Sequence, residues 1–272
     1  MTIDRKRFKN LFSLTGKTAV ITGTGGLLGE VYAHALAAAG AAVVLTDLKR
    51  ERCDGLAACV TSEWGVQSIA VGCDVTQRND WERLREILCD RFTSVDILVN
   101  NAGFTNASRI EGYSDGFDTF PDMAWKSILD VNLTGVFMGC QVIGKMMTEK
   151  RTGSIINVAS QYGVVSPNHT IYDGTGVSQP VAYSVSKAGV IALTRYLATC
   201  WGETGVRVNS LTPGGVFDKH TDPFLTRFSA LNPMGRMCDR DELAGAVVFL
   251  ASDAASYMTG HNLVVDGGWT VW

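Results

Sequence analysis

The sequence predicts an α/β fold: one Rossmann-type domain, a doubly wound parallel sheet of about seven strands with helices on both faces. Three observations carry this. Short β-branched runs alternate with longer helical patterns along the chain. The strand runs are continuously apolar rather than alternating, as burial on both faces requires. A glycine-rich turn joins the first strand to the first helix.

The elements follow in order. The opening MTIDRKRFKNLF reads as a polar lead-in. TAVIT (18–22) is the first strand. The Ala-rich stretch 27–39 is helical, and Gly40 stops it. AVVLTD (42–47) is the second strand, followed by a charged helix over 49–64. SIAVGCD (68–74) is the third strand, and 79–92 a helix capped by Asn79 or Asp80. DILVNNAG (96–103) is a strand running into a turn. A long amphipathic helix spans 122–149. SIINVAS (154–160) is the fifth strand, with a helix over 181–203. VRVNSLTPG (206–214) is the sixth, with a helix over 239–251. NLVVDGG (262–268) is the last. The long connections 104–121, 161–180 and 215–238 all leave C-terminal strand ends. Open α/β sheets bind ligands at that edge, so these are the expected substrate loops.

Composition narrows the function. The chain has 272 residues, 46% hydrophobic and 19% charged, which suits one globular domain. Lys+Arg 24 against Asp+Glu 27 leaves a net charge of −3. That argues against nucleic acid or an anionic membrane as partner, because both need a basic face. The longest apolar runs, such as 244–251, fall short of the ~18 residues of a membrane span. The N-terminus lacks the apolar core of a signal peptide. Seven cysteines, an odd number without a CxxC pair, predict neither disulfide framework nor zinc site. No metal is expected, and a cytoplasmic location is.

The first strand runs into Thr22-Gly23-Thr24-Gly25-Gly26-Leu27-Leu28-Gly29 and then a helix. Glycines let the backbone turn tightly and approach a pyrophosphate at the helix N-terminus. The alternative is a glycine turn without a ligand. Asp47 ends the second strand, 18 residues beyond Gly29. A carboxylate there accepts hydrogen bonds from the adenosine-ribose hydroxyls and repels a 2′-phosphate, which favours NAD(H) over NADP(H). Lys49 and Arg50 are the cations placed to soften that preference. Asp74 either meets the adenine or serves as a turn carboxylate.

These pieces resemble the short-chain dehydrogenase/reductases over nearly the whole chain, and most closely their short single-domain branch. The matching segments are the glycine turn 22–29, Asp74-Val75, Asn100-Asn101-Ala102-Gly103, Asn132 in DVNLTG, Ser160 in INVAS, Tyr183-Ser184-Val185-Ser186-Lys187, Pro213-Gly214 and Asp266-Gly267-Gly268. The resemblance implies that Gly23, Gly26, Leu27, Leu28, Gly29, Asp47, Asp74, Val75, Asn101, Ala102, Gly103, Tyr183, Lys187, Pro213, Gly214 and Val216 bind the cofactor. It implies a homodimer or homotetramer through the helices 122–149 and 181–203. There are three departures. The turn reads TGxxGxxG, with Leu27 where the short members place glycine. Ser160 and Tyr183 are 23 residues apart, more than usual in the family. Asp218 stands where a threonine is often found beyond Pro213-Gly214. The loop 161–180 and the phrase IYDGT look similar to oxidoreductases of flagellin-modifying nonulosonic acid pathways.

Tyr183 and Lys187 lie four apart on a predicted helix and share a face. Taken alone, they read as an exposed pair. The resemblance makes Tyr183 the proton-transferring group, with its pKa of ~10 lowered by the Lys187 ammonium and the positive nicotinamide ring. Ser160 then binds and polarises the substrate oxygen, or it merely bonds its own loop. Asn132 supports the relay behind Lys187. Gln161, His169 and Tyr172 are the substrate candidates in the second long loop. Asn106, Arg109, Asp173, Asp218 and His220 add polar groups nearby. Phe217, Phe224, Leu225 and Phe228 are read as a lid with an apolar underside. The segment Trp269 to Trp272 is read as buried against another subunit.

The function expected is an NAD(H)-dependent oxidoreductase interconverting a secondary alcohol and a ketone on a polyol or sugar derivative. The alternatives are reduction of a 3-ketoacyl or other apolar ketone, and a non-catalytic nucleotide-binding sensor or scaffold.

Overall fold

Seven parallel strands form one sheet in the order β3-β2-β1-β4-β5-β6-β7. They are β1 (Thr18–Thr22), β2 (Ala42–Asp47), β3 (Ser68–Gly72), β4 (Ile97–Asn100), β5 (Gly153–Val158), β6 (Val206–Pro213) and β7 (Asn262–Val265). The computed structural model describes residues 4–104, 110–175 and 178–272. The strand order reverses between β1 and β4, the switch point outside which open α/β sheets bind ligands. Register brings Thr22 level with Thr46, and Asn100 level with Asn157. Strand ends therefore line up along one edge.

Successive side chains of a strand point to opposite faces, which explains the continuous apolar runs. Ala19 and Ile21 of β1 join one core, with Val43, Leu45, Ile97 and Val99. Val20 joins the other, with Val44 and Leu98. The helices α2 (Leu27–Ala38), α3 (Glu51–Trp64) and α9 (Ala244–Ala251) cover the first face. The helices α4 (Arg78–Arg91), α6 (Gly135–Lys150) and α7 (Val181–Trp201) cover the second.

Several expectations need correction. The lead-in is not merely polar coil: α1 (Arg5–Lys9) forms there, and the Asp4 carboxylate accepts from Lys6 N and Arg7 N. It buries no side chain, so composition gave no sign of it. The helix expected over 122–149 is α5 (Asp122–Leu129), a π-turn at Asp130–Thr134, and α6. Together they make a 29-residue helical run that is long and apolar enough to cross a membrane. Its apolar face packs into the second core instead. The run expected at 239–251 opens as a 3-10 turn, Arg240–Leu243, under an Asp239/Glu242 capping box. An unpredicted helix, α8 (Phe224–Leu231), lies in the third long loop.

Candidate active site

The glycine turn is a cradle that a side chain would fill. Gly23 has φ +69, and a Cβ on it would lie 2.8 Å from Ala102 Cα. A Cβ on Gly29 would lie 2.3 Å from Gly23 O. Gly26 is the N-cap of α2 and supplies no side-chain cap. The first N–H groups of α2, at Leu27 and Leu28, thus begin beneath a cover without side chains, as an anion site needs. The segment Asn101-Ala102-Gly103 fastens this turn. Asn101 Nδ2 donates to Thr22 O (2.9 Å) and Gly23 O (3.2 Å). Asn101 N and Ala102 N both donate to Thr22 Oγ1 at 3.0 Å. These residues fit a dinucleotide.

Asp47 stands at the end of β2 beside that turn, as expected, but its cation is neither Lys49 nor Arg50. Arg50 pairs with Asp54 (3.1 Å), and Lys49 is exposed. Arg52 donates from Nη1 to Asp47 Oδ1 (2.9 Å) and from Nη2 to Gly25 O (3.0 Å). Arg52 sits in the first turn of α3, so its side chain reaches back over the strand end. Asp74 Oδ1 accepts from Thr76 N and Thr76 Oγ1 and so holds the turn after β3. Val75 is buried under Gly135, where a Cβ would meet its Cγ2 at 2.9 Å. Gly214 donates to Val265 O, and a Cβ there would strike Asp266 Cα at 2.6 Å. Pro213 ends β6, and Val216 bridges to Cys238.

Tyr183, Lys187, Ser160 and Asn132 converge at the same edge. Ser160 follows β5 in extended backbone, and its Oγ accepts from Tyr162 N (3.2 Å). The loop bond is thus in place, and the same hydroxyl faces the Tyr183 phenol. Lys187 Nζ lies 5.8 Å from the Tyr183 ring centroid and donates to Val158 O (2.7 Å). Asn132 lies within the π-turn and is fully buried. Its Oδ1 accepts from Phe104 N (2.7 Å), and its Nδ2 donates to Ser186 Oγ (3.3 Å). The wider turn gives the asparagine room to bond across to the neighbouring loop and to α7. Gly103 packs alongside: a Cβ on it would lie 3.3 Å from Asn132 Oδ1 and 3.6 Å from Lys187 Nζ.

In the protein alone the Tyr183 phenol stands above its ordinary value. Burial pushes the phenol up, while the Ser160 hydroxyl pulls it down. Lys187 is itself held down at about 8 by burial. A dry ammonium is a costly charge, and this one is turned to a carbonyl.

The three sequence candidates in the second loop differ in burial. Gln161 is buried in a 3-10 turn, and its Oε1 has no hydrogen-bond partner. The Tyr172 hydroxyl lies 2.7 Å from that of Tyr162. His169 is exposed on the 3-10 turn His169–Tyr172. Asn106 and Arg109 lie outside the described residues. Sequence reasoning passed over Tyr113 and Tyr162. The buried hydroxyl of Tyr113 has no partner among the described residues and lies near Tyr183. Aromatic residues in the loops at the ligand edge were the available signal.

The residues read as a lid are more fully packed than that reading implies. Phe224 and Phe228 of α8 are buried in a cluster with Tyr162, Ile171, Met237 and Trp269. Phe228 stacks on Trp269 at 4.4 Å between centroids. Trp269 is therefore buried within its own chain, while Val271 and Trp272 are exposed. Among the described residues one trio, His34, Cys59 and Glu63, brings ligand-type atoms within 4.8 Å of one another. It lies on α2 and α3, and His34 Nδ1 already accepts from Trp64 Nε1 (3.0 Å).

Residues 26–270 match the family model described as "Enoyl-(Acyl carrier protein) reductase". The chain belongs to the short-chain dehydrogenase/reductases. It is 37% identical over 265 residues to a D-threitol dehydrogenase of Mycolicibacterium smegmatis, covering 96% of this chain and 95% of that one. It is 31% identical over 271 residues to an NAD-dependent glycerol dehydrogenase of Listeria innocua, covering 98% of each. Among solved structures it resembles a gluconate 5-dehydrogenase of Burkholderia cenocepacia in complex with NADP and tartrate. The TM-score there is 0.85 at 31% identity, covering 97% of this chain and 98% of that one.

Proposed function

We propose that this short-chain oxidoreductase interconverts a secondary alcohol and a ketone on a neutral polyol or sugar derivative, with NAD(H) as a cofactor. When bound, the nicotinamide supplies the hydride chemistry. The glycine turn and the α2 N-terminus hold the pyrophosphate, and Asp47 takes the ribose. Tyr183 exchanges the proton of the substrate hydroxyl at its phenolic oxygen. Ser160 holds the substrate oxygen and steadies the phenolate. Lys187 places its ammonium behind the Tyr183 ring, and Asn132 pins the loop at Phe104 to α7 beside it.

One observation carries the choice of a hydroxylated substrate. Tyr113 Oη, near Tyr183, and Gln161 Oε1, next to Ser160 in the chain, are buried and have no partner among the described residues. Unpaired buried polar groups are costly, so a ligand rich in hydroxyls is favoured. The Gln161 oxygen in particular needs a donor. The apolar side of the lid is spent on Trp269 and Met237, which leaves little for an acyl chain. The seven free cysteines suit a reducing cytoplasm. Exposed Phe137 of α6 and Val185 and Tyr196 of α7 suit pairing of these helices in a homodimer or homotetramer.

The test is a screen of tetritols, hexitols and aldonates against hydroxysteroids and 3-hydroxyacyl compounds, with NAD and NADP, read by cofactor absorbance. Turnover confined to polyols is expected. Turnover confined to apolar alcohols would overturn the substrate assignment, and none with any alcohol would favour the sensor reading. Tyr183→Phe is expected to lower turnover by at least ~10²–10⁴ while dinucleotide binding survives. Near-normal turnover in that variant would refute the proton-transfer role.

A further inference from the structure

The end of β2 holds a charge pair where a lone carboxylate was expected. Resting on the dinucleotide reading above, we propose that Arg52 lets this chain accept NADP(H) as well as NAD(H) by switching between two positions at Asp47.

A carboxylate offers about four lone-pair sites. Three are taken: Asp47 Oδ2 accepts from Gly25 N (3.0 Å), and Oδ1 accepts from Leu48 N (3.0 Å) and Arg52 Nη1 (2.9 Å). One site remains. A free ribose diol donates two hydrogen bonds and is one acceptor short while Arg52 is in place. A 2′-phosphorylated ribose donates only from its 3′-hydroxyl, which the remaining site takes. Its phosphate then needs a cation, and Arg52 is one. Guanidinium suits phosphate geometry. The observed pairing is therefore complementary to the phosphorylated ribose, and it neutralises the carboxylate that would otherwise repel it.

Arg52 is also free to leave. Its side chain is 36% exposed, while that of Asp47 is 8% exposed. Its other anchor is the carbonyl of Gly25, in the phosphate turn. A Cβ at Gly25 would lie 3.0 Å from Asp47 Oδ2 and 3.1 Å from Arg52 Nε, so the glycine leaves the pair its room. With Arg52 swung to solvent, Asp47 regains a second acceptor and fits the diol. The NAD preference of about 10²-fold that Asp47 alone implies is thereby reduced to within about tenfold.

The experiment measures binding rather than turnover. ADP-ribose and 2′-phospho-ADP-ribose are titrated calorimetrically into the full chain and into Arg52→Gln and Arg52→Lys. The native chain is expected to bind the two fragments within about tenfold of each other. Arg52→Gln should weaken the phosphorylated fragment by at least about tenfold and leave ADP-ribose unchanged or tighter. Arg52→Lys should restore part of the loss. A native preference for ADP-ribose near 10²-fold or more, or equal weakening of both fragments in Arg52→Gln, overturns the proposal. Failure of the native chain to bind either fragment overturns the dinucleotide reading itself, and this proposal with it.

Discussion

Burial sets the acid–base behaviour at the level of single residues. Tyr183 is pushed up by desolvation and drawn down by Ser160. Ser160→Ala removes the downward pull, so the phenol rises further. The alkaline rise of alcohol oxidation is expected to move to higher pH, with kcat/KM at neutral pH falling by about 10². An unmoved pH profile would separate Ser160 from the titration of Tyr183. Lys187 titrates at about 8 in the fold against 10.5 unperturbed. Between these values the unfolded chain binds more protons, so stability rises with pH across that window. Below pH 8 the full penalty is present. Lys187→Met removes it, on the order of 3 kcal/mol, and loses the bond to Val158 O, about 1 kcal/mol. A net gain of roughly 2 kcal/mol should raise Tm at pH 7 by about 4–8 °C while abolishing activity. A lower Tm in calorimetry would show that Lys187 stabilises the fold.

At the scale of elements, α8 is tied through Phe228 to the segment that follows Pro213-Gly214. Phe228 stacks on Trp269, and a Cβ at Gly215 would meet Phe228 Cζ at 2.3 Å. The ring therefore rests directly on the segment that follows Pro213-Gly214. Phe228→Ala should cost about 3–5 kcal/mol at its own cluster. That cluster is separate from the two cores of the sheet, so the loss should open the lid locally rather than unfold the chain. Substrate KM is expected to rise with ADP-ribose affinity unchanged, measured by steady-state kinetics and calorimetry. Loss of both together would place α8 in the main cooperative unit. The π-turn is the other element with a local purpose: it lets Asn132 leave the regular helix ladder and bond Phe104 and Ser186.

For the whole molecule, the second face of the sheet is covered by helices that keep apolar residues outward. Phe137, Val185 and Tyr196 lie on α6 and α7, and Met123 on α5. Light scattering at micromolar concentration is expected to give a multiple of 29.3 kDa. Tyr196→Asp combined with Phe137→Asp should reduce it, because the new carboxylates would be desolvated in the interface. A mass of 29.3 kDa for the native chain would refute assembly through this face.

The seven strands, the turn that follows β1 and the edge where the site forms were legible in the sequence alone. Burial on both faces writes itself as unbroken apolar runs, and a backbone without Cβ atoms can be written only with glycine. The convergence of Ser160, Tyr183 and Lys187 was legible through the resemblance, since 23 residues separate the first two and no local rule joins them. What only the tertiary structure decided lies in contacts between elements. Lys49 and Arg50 are nearer to Asp47 in sequence, but the first turn of α3 directs Arg52 onto it. Trp269 looked like a subunit contact because nothing in its own segment shows that α8 covers it. Tyr113 and Gln161 show their unpaired atoms only after the loops fold. Periodicity reports which face of an element is buried, and the partner across that face is set by packing.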